Sequence, residues 1–143
     1  MRLASVTANR HVFDGQVNGE PFRLLLAFDN GRSLRLAVTG DGSGMRADEL
    51  PLDEPFDMGE CGSIVIEDVT GSLFPSLRAT EVAEVRALEL DARQVGVQLL
   101  QRDGRAFCFW VDDDQLFWGD RAALTAHDWL DGSVPATAKP IKV

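Results

Sequence analysis

Lysine is almost missing from this chain: Lys139 and Lys142 are the only two, against twelve arginines and 23 carboxylates. With a net charge of −9 and a pI near 4.6, nucleic acid and anionic membrane are disfavoured as partners. No G-x-x-x-x-G-K-[ST] or G-x-G-x-x-G stretch offers a phosphate cradle. Histidine is scarce too. His11 and His127 lie far apart, with no Cys or carboxylate at zinc-ligand spacing. Cys61 and Cys108 share no C-x-x-C spacing and read as reduced, partly buried thiols rather than a disulfide. The longest apolar runs, such as "LLLAF" (24–28), are too short to span a bilayer. "MRLASVTANR" has no apolar signal-peptide core, so the cytosol is the expected location. Ser, His and Asp occur without a G-x-S-x-G elbow, and nothing singles out two carboxylates as a glycosidase pair. Neither an enzyme, a cofactor nor a bound metal is expected.

What the chain does have is acid, unevenly placed. Between Arg46 and Arg78 there is no base, yet Asp48, Glu49, Asp53, Glu54, Asp57, Glu60, Glu67 and Asp68 fall there. Asp112, Asp113, Asp114 and Asp120 are likewise unopposed between Arg105 and Arg121. Solubility explains most acidic surfaces. A field that steers a basic partner is the sharper reading.

Alternation and turn residues predict a mainly β fold: an antiparallel meander sheet, a sandwich or an open barrel, with one short C-terminal helix. Expected strands are 10–17, 21–28, 33–38, 63–69, 94–101, 106–111 and 115–119. Asn18-Gly19, Asn30-Gly31 and Asp103-Gly104 are expected hairpin turns. "GDGSG" (40–44) is a flexible loop. The acids a calcium loop needs after Asp41 are missing. Residues 45–60 read as an irregular acidic excursion with a helical turn at 47–50, and 80–90 reads as strand against its helix-favouring composition. "DRAALTAHDWL" (120–130) predicts a helix capped by Asp120 and ended before Gly132. The closing "IKV" is expected at a sheet edge.

Sliding the chain by 73 residues lays "LLLAFDNGRSLRLAV" (24–38) over "VQLLQRDGRAFCFWV" (97–111) without a gap. Any two amphipathic hairpins align in part, because alternation and an x-Gly turn are generic. A true internal duplication within one domain, about 1–72 and 73–143, would give two similar β-meanders packed together.

"FCFWVDDDQLFWGD" (107–120) concentrates both themes. Period two puts Phe107, Phe109 and Val111 on one face and Cys108 with Trp110 on the other, which marks strands covered on both sides. Phe107, Phe109, Val111, Leu26, Leu34 and Leu36 are the expected core. Three adjacent aspartates repel one another, and a simple turn needs only one. Calcium, with Asp120 as a further ligand, would relieve that repulsion, but no ligand spacing supports it. A basic protein would do so too, with Trp110, Trp118 or Trp129 as an aromatic anchor at the rim. Acidic turns are also common where only water is the partner.

These features point to a small, non-enzymatic binding protein that blocks or sequesters a basic protein partner. The expected binding residues are Asp112, Asp113, Asp114, Trp118, Asp120, Asp48, Glu49, Asp53 and Glu54. In size, acidity and lack of catalytic motifs, the chain looks like the bacterial immunity proteins. That resemblance implies a nuclease-type toxin whose positive cleft is met by carboxylates. The arginine-rich usage points to a GC-rich, bacterial genome. Two other readings stand beside this one: a β-barrel or sandwich binding a small apolar ligand between its sheets, and a structural homo-oligomeric subunit joined by strand edges.

Overall fold

Alternating apolar residues and tight turns build twelve strands and one helix, described for residues 1–143 by a computed structural model. The first seven strands are β1 (Leu3–Phe13), β2 (Gln16–Val17), β3 (Arg23–Phe28), β4 (Ser33–Val38), β5 (Met45–Asp48), β6 (Phe56–Asp57) and β7 (Ser63–Asp68). After them come β8 (Val82–Leu90), β9 (Arg93–Gln101), β10 (Ala106–Asp112), β11 (Gln115–Asp120), α1 (Arg121–Ala126) and β12 (Ala136–Pro140). All pairings are antiparallel and form two sheets, with no closed barrel. One sheet runs β5-β4-β3-β1-β7-β6, with β2 beside β1; the other runs β11-β10-β9-β8-β12.

The two sheets repeat one strand order. In each, a four-strand meander (β1, β3, β4, β5 or β8, β9, β10, β11) is completed by a later strand that pairs with the first. Hairpin register repeats as well. Leu24 faces Leu36 in the first sheet, and Val97 faces Phe109 in the second, each 73 residues on. The leading strands β1 and β8 meet end to end. Arg2 bridges Glu81, and the Leu3 and Val82 amides donate to the Thr80 and Met1 carbonyls at 2.9 and 2.7 Å.

Inward residues of both sheets interdigitate in one core. Val6, Leu24, Leu26, Leu34 and Leu36 meet Val85, Val97, Leu99, Phe109 and Val111, all at most 2% exposed. Phe74, from the β7–β8 connection, packs against Phe107, Phe109 and Trp118. The expected core is buried except Phe107, which is half-buried at its margin. Behind the second sheet a smaller cluster joins Cys108 and Trp110 to Leu124 and Trp129. Strand β10 is therefore covered on both faces, as its sequence implied, whereas β11, expected beside it in the middle of the fold, is an edge strand with only Leu116 buried.

Several local expectations are corrected. The first strand begins at Leu3, not residue 10, and its hairpin turns at Asp14-Gly15 (φ 53° and 76°) rather than Asn18-Gly19. The inward set Leu3, Val6 and Ala8 is too sparse to announce a strand. Residues 47 and 48 are strand, not a helical turn, because β5 pairs with β4 and Arg35 grips Asp48. The helix stops at Ala126: the Trp129 indole folds back to donate to the Leu124 carbonyl at 3.0 Å. Gly132 (φ 79°) instead shapes a later turn. Residues 80–90 are strand from Val82, as read. The tail pairs through Ala136–Pro140, with the Ile141 amide continuing onto the Val85 carbonyl at 2.8 Å. Cys108 is buried and Cys61 exposed; neither is bridged.

Candidate functional site: an acidic cleft at the end of the sandwich

The β10–β11 turn explains how three aspartates coexist. Asp113 and Asp114 are its two central residues, both left-handed at φ 49° and 63°, as a type I′ turn requires. Asp tolerates that region better than most side chains, though Asn-Gly suits the turn best. Asp112 turns back toward α1. Its carboxylate accepts from His127 Nε2 at 2.9 Å and from the Leu130 amide at 3.1 Å. The two acids in the turn are exposed, while Asp112 is half-buried in a structural contact.

A loop from the other sheet docks on this turn. The Asp114 amide donates to the Gly42 carbonyl at 3.1 Å. A side chain at Gly42 (φ 74°) would strike the Asp114 side chain at 3.0 Å. Beside it Asp41 accepts from the Thr39 hydroxyl at 2.7 Å, the Ser43 amide at 3.1 Å and the Ser43 hydroxyl at 2.8 Å. Those bonds, the Thr39 hydroxyl foremost, hold the Asp41 carboxyl down at about 2, so it stays ionised.

Loop 129–131 closes a third side. The result is a cleft of about 280 Å³ bordered by Asp41, Asp112, Asp113, Asp114 and Asp131, with Arg93 as its single cation. Trp129 and Val111 give it an apolar floor, and Leu130, 74% exposed, stands on its lip. No three carboxylate, histidine or cysteine side chains converge closely enough to hold a metal ion.

The remaining expected binding residues lie elsewhere, most of them engaged. Asp120 caps α1, accepting from the Ala123 amide at 2.8 Å. Trp118 lies half-buried with its ring 4.9 Å from Phe74. Trp110 and Trp129 are 3% and 6% exposed, so no tryptophan stands out at the rim. The acidic run after Arg46 lies across the outer face of the first sheet, where arginines from β3 and β4 meet it. Asp48 takes Arg35 in a two-pronged pair at 2.9 and 2.7 Å. Desolvation opposes ionisation of Asp48, but Arg35, the Leu50 amide and Arg46 outweigh it and lower its pKa. Asp53 pairs with Arg23 at 2.5 Å, and Glu49 with Arg32. Glu54 is exposed beside them.

Sequence reasoning did not find Asp41, Asp131, Arg93 or Leu130. Asp41 lies in a loop without calcium-ligand spacing, and only tertiary docking on Asp114 brings it into the cleft. No helix is long and apolar enough to cross a membrane. Comparison with protein-family models, with curated proteins and with solved structures gives no match.

Proposed function

We propose that this chain is a binding protein that captures a basic protein segment in the acidic cleft, in the manner of a toxin-neutralising immunity protein. One observation carries the reading. Loops from both sheets bring Asp41, Asp113, Asp114 and Asp131 to one concave rim with an exposed leucine at its lip. Carboxylates without an ion-pair partner attract a cationic side chain from a distance, and the apolar floor receives its methylene stem. Drug-sized ligands occupy roughly 300–1,000 Å³. At about 280 Å³ this cleft lies at the small end of that range. The inward faces of the sheets are closely packed, which favours a surface site over one between them. The turn adds weight: folding alone favours Asn-Gly at 113–114, and two acids in left-handed geometry are held at some cost.

The test is capture from host lysate at low and high salt, using wild type and the Asp41→Asn/Asp113→Asn/Asp131→Asn variant. A partner lost on both triple substitution and added salt supports the proposal. A partner held equally by both proteins and indifferent to salt overturns it.

A further inference from the structure

A larger cleft lies away from the acidic one, where β9, the start of α1 and β12 come together. It is an open cleft of about 790 Å³ lined mainly by polar side chains, including Ser76, Gln98, Gln101, Arg105, Arg121 and Thr137. Gln98 and Gln101 are each only 9% exposed, unusual for glutamine on a strand. The Gln98 carbonyl oxygen accepts from Arg121 Nη1 at 2.9 Å and lies 4.0 Å from the Cys108 thiol. Burial pushes that thiol up to about 11, so it remains an S–H donor. With its oxygen taken, Gln98 has its amide N–H groups left to offer a ligand. Arg121 is unlike most arginines here: its partners are the neutral Gln98 and Thr137 oxygens, the latter at 3.4 Å, with no carboxylate in ion-pair contact.

We infer that this cleft is a binding site for a carboxylate, read by the Arg121 guanidinium fork and the Gln98 amide. A planar carboxylate matches the fork in two parallel hydrogen bonds. Nearby Asp120 opposes a doubly charged phosphate more than a singly charged acid. Ala106 and Ala122 give the rest of a small molecule some apolar wall. This site is independent of the acidic cleft.

The test is an NMR titration of the labelled chain with N-acetylglycine, its uncharged counterpart N-acetylglycinamide, and inorganic phosphate. N-acetylglycine is expected to shift the Gln98 side-chain amide and the Arg121 guanidinium signals saturably, with little response to the other two. Arg121→Gln should weaken binding about tenfold or more, the scale of a lost charge-assisted hydrogen bond, while Arg46→Gln does not. Arg121→Lys keeps the charge but not the fork and should fall between. Backbone spectra of each variant establish that the fold is intact. A short peptide with a free C-terminus distinguishes the ligand's source: tighter binding than N-acetylglycine assigns a chain terminus, and weaker binding a free small acid. No saturable shift, an equal response to the amide or phosphate, or an Arg121→Gln variant that binds like wild type would overturn the proposal.

Discussion

The two sheets share a strand order but cover their outer faces with different chemistry. In the first, the segment from Glu49 to Pro55 crosses from β5 toward β6, held by polar contacts. Arg35 and Arg23 grip Asp48 and Asp53. Asn9 exchanges hydrogen bonds with the Asp53 backbone, both at 2.9 Å, and Leu52 is the strap's one buried apolar residue. In the second, the segment from α1 to Gly132 covers β9 and β10 with Leu124 and Trp129 on Cys108 and Trp110. A cover held by ion pairs uses up its charges; an apolar cover leaves nearby acids free. Two acidic runs that look alike in sequence therefore differ in the fold. Asp48, Glu49 and Asp53 are engaged with arginines, whereas Asp113 and Asp114 face solvent.

The comparison is sharpest in the apolar cover. Trp129→Ala removes a buried ring packed 6.3 Å from Trp110 and 4.8 Å from His127. It should cost about 3–5 kcal/mol. Leu52→Ala in the strap should cost about 2 kcal/mol, the lower end of the leucine range, because a surface strap can collapse onto the gap. Denaturant midpoints measure both, and equal losses would break the distinction.

Charge matters more in the strap. Arg35→Met strands Asp48 beside a buried methionine and should destabilise by about 2 kcal/mol, discounted because Asp48 keeps 22% of its side-chain surface. Replacing both, Arg35→Met with Asp48→Leu, should recover most of that loss. A double variant no better than the single one would show that the pair is not the strap's fastening.

Acid should act through the same carboxylates. Asp41, Asp48 and Asp68 have lowered pKa values in the fold, Asp68 chiefly through the Thr70 hydroxyl and amide. A depressed pKa contributes stability above the unfolded value, and that contribution is lost as pH falls through the folded value. Stability should therefore decline from about pH 4 toward pH 2, the span between the ordinary aspartate value and that of Asp41. Unfolding curves across this range check it, and Asp48→Asn should flatten the decline.

The fold was legible where period and turn chemistry agreed. The β3–β4 and β9–β10 hairpins, with Asn30-Gly31 and Asp103-Gly104 at their tips, lie where alternation put them. β1 was half hidden because Ala4, Ser5 and Thr7 separate its few inward residues. The short extent of α1 was hidden because a side-chain-to-backbone contact, Trp129 onto Leu124, accompanies its end and leaves no mark in the periodicity. At the candidate site, the sequence marked the Asp112–Asp114 turn but not its surroundings. The partners of Asp48 and Asp53 come from strands 13 and 30 residues earlier, a distance at which a charge run reveals nothing of its neutralisation.

A smaller effect isolates the turn. Asp113→Asn with Asp114→Gly gives the preferred type I′ pair and removes two like charges, so stability should rise by about 0.5–1 kcal/mol. Thermal unfolding measures it, and a loss of stability would mean that the aspartates themselves hold the turn.

Association rates of two charge-matched variants test the acidic cleft most directly. Asp113→Asn/Asp131→Asn removes two of the charges on its rim, and Glu49→Gln/Glu54→Gln removes the same charge from the strap. With the partner captured at low salt, the rim variant should slow association roughly tenfold and the strap variant far less, the difference fading as salt is added. Equal slowing by both would mean that net charge alone steers the partner, and slowing confined to the strap variant would place the interface on the first sheet.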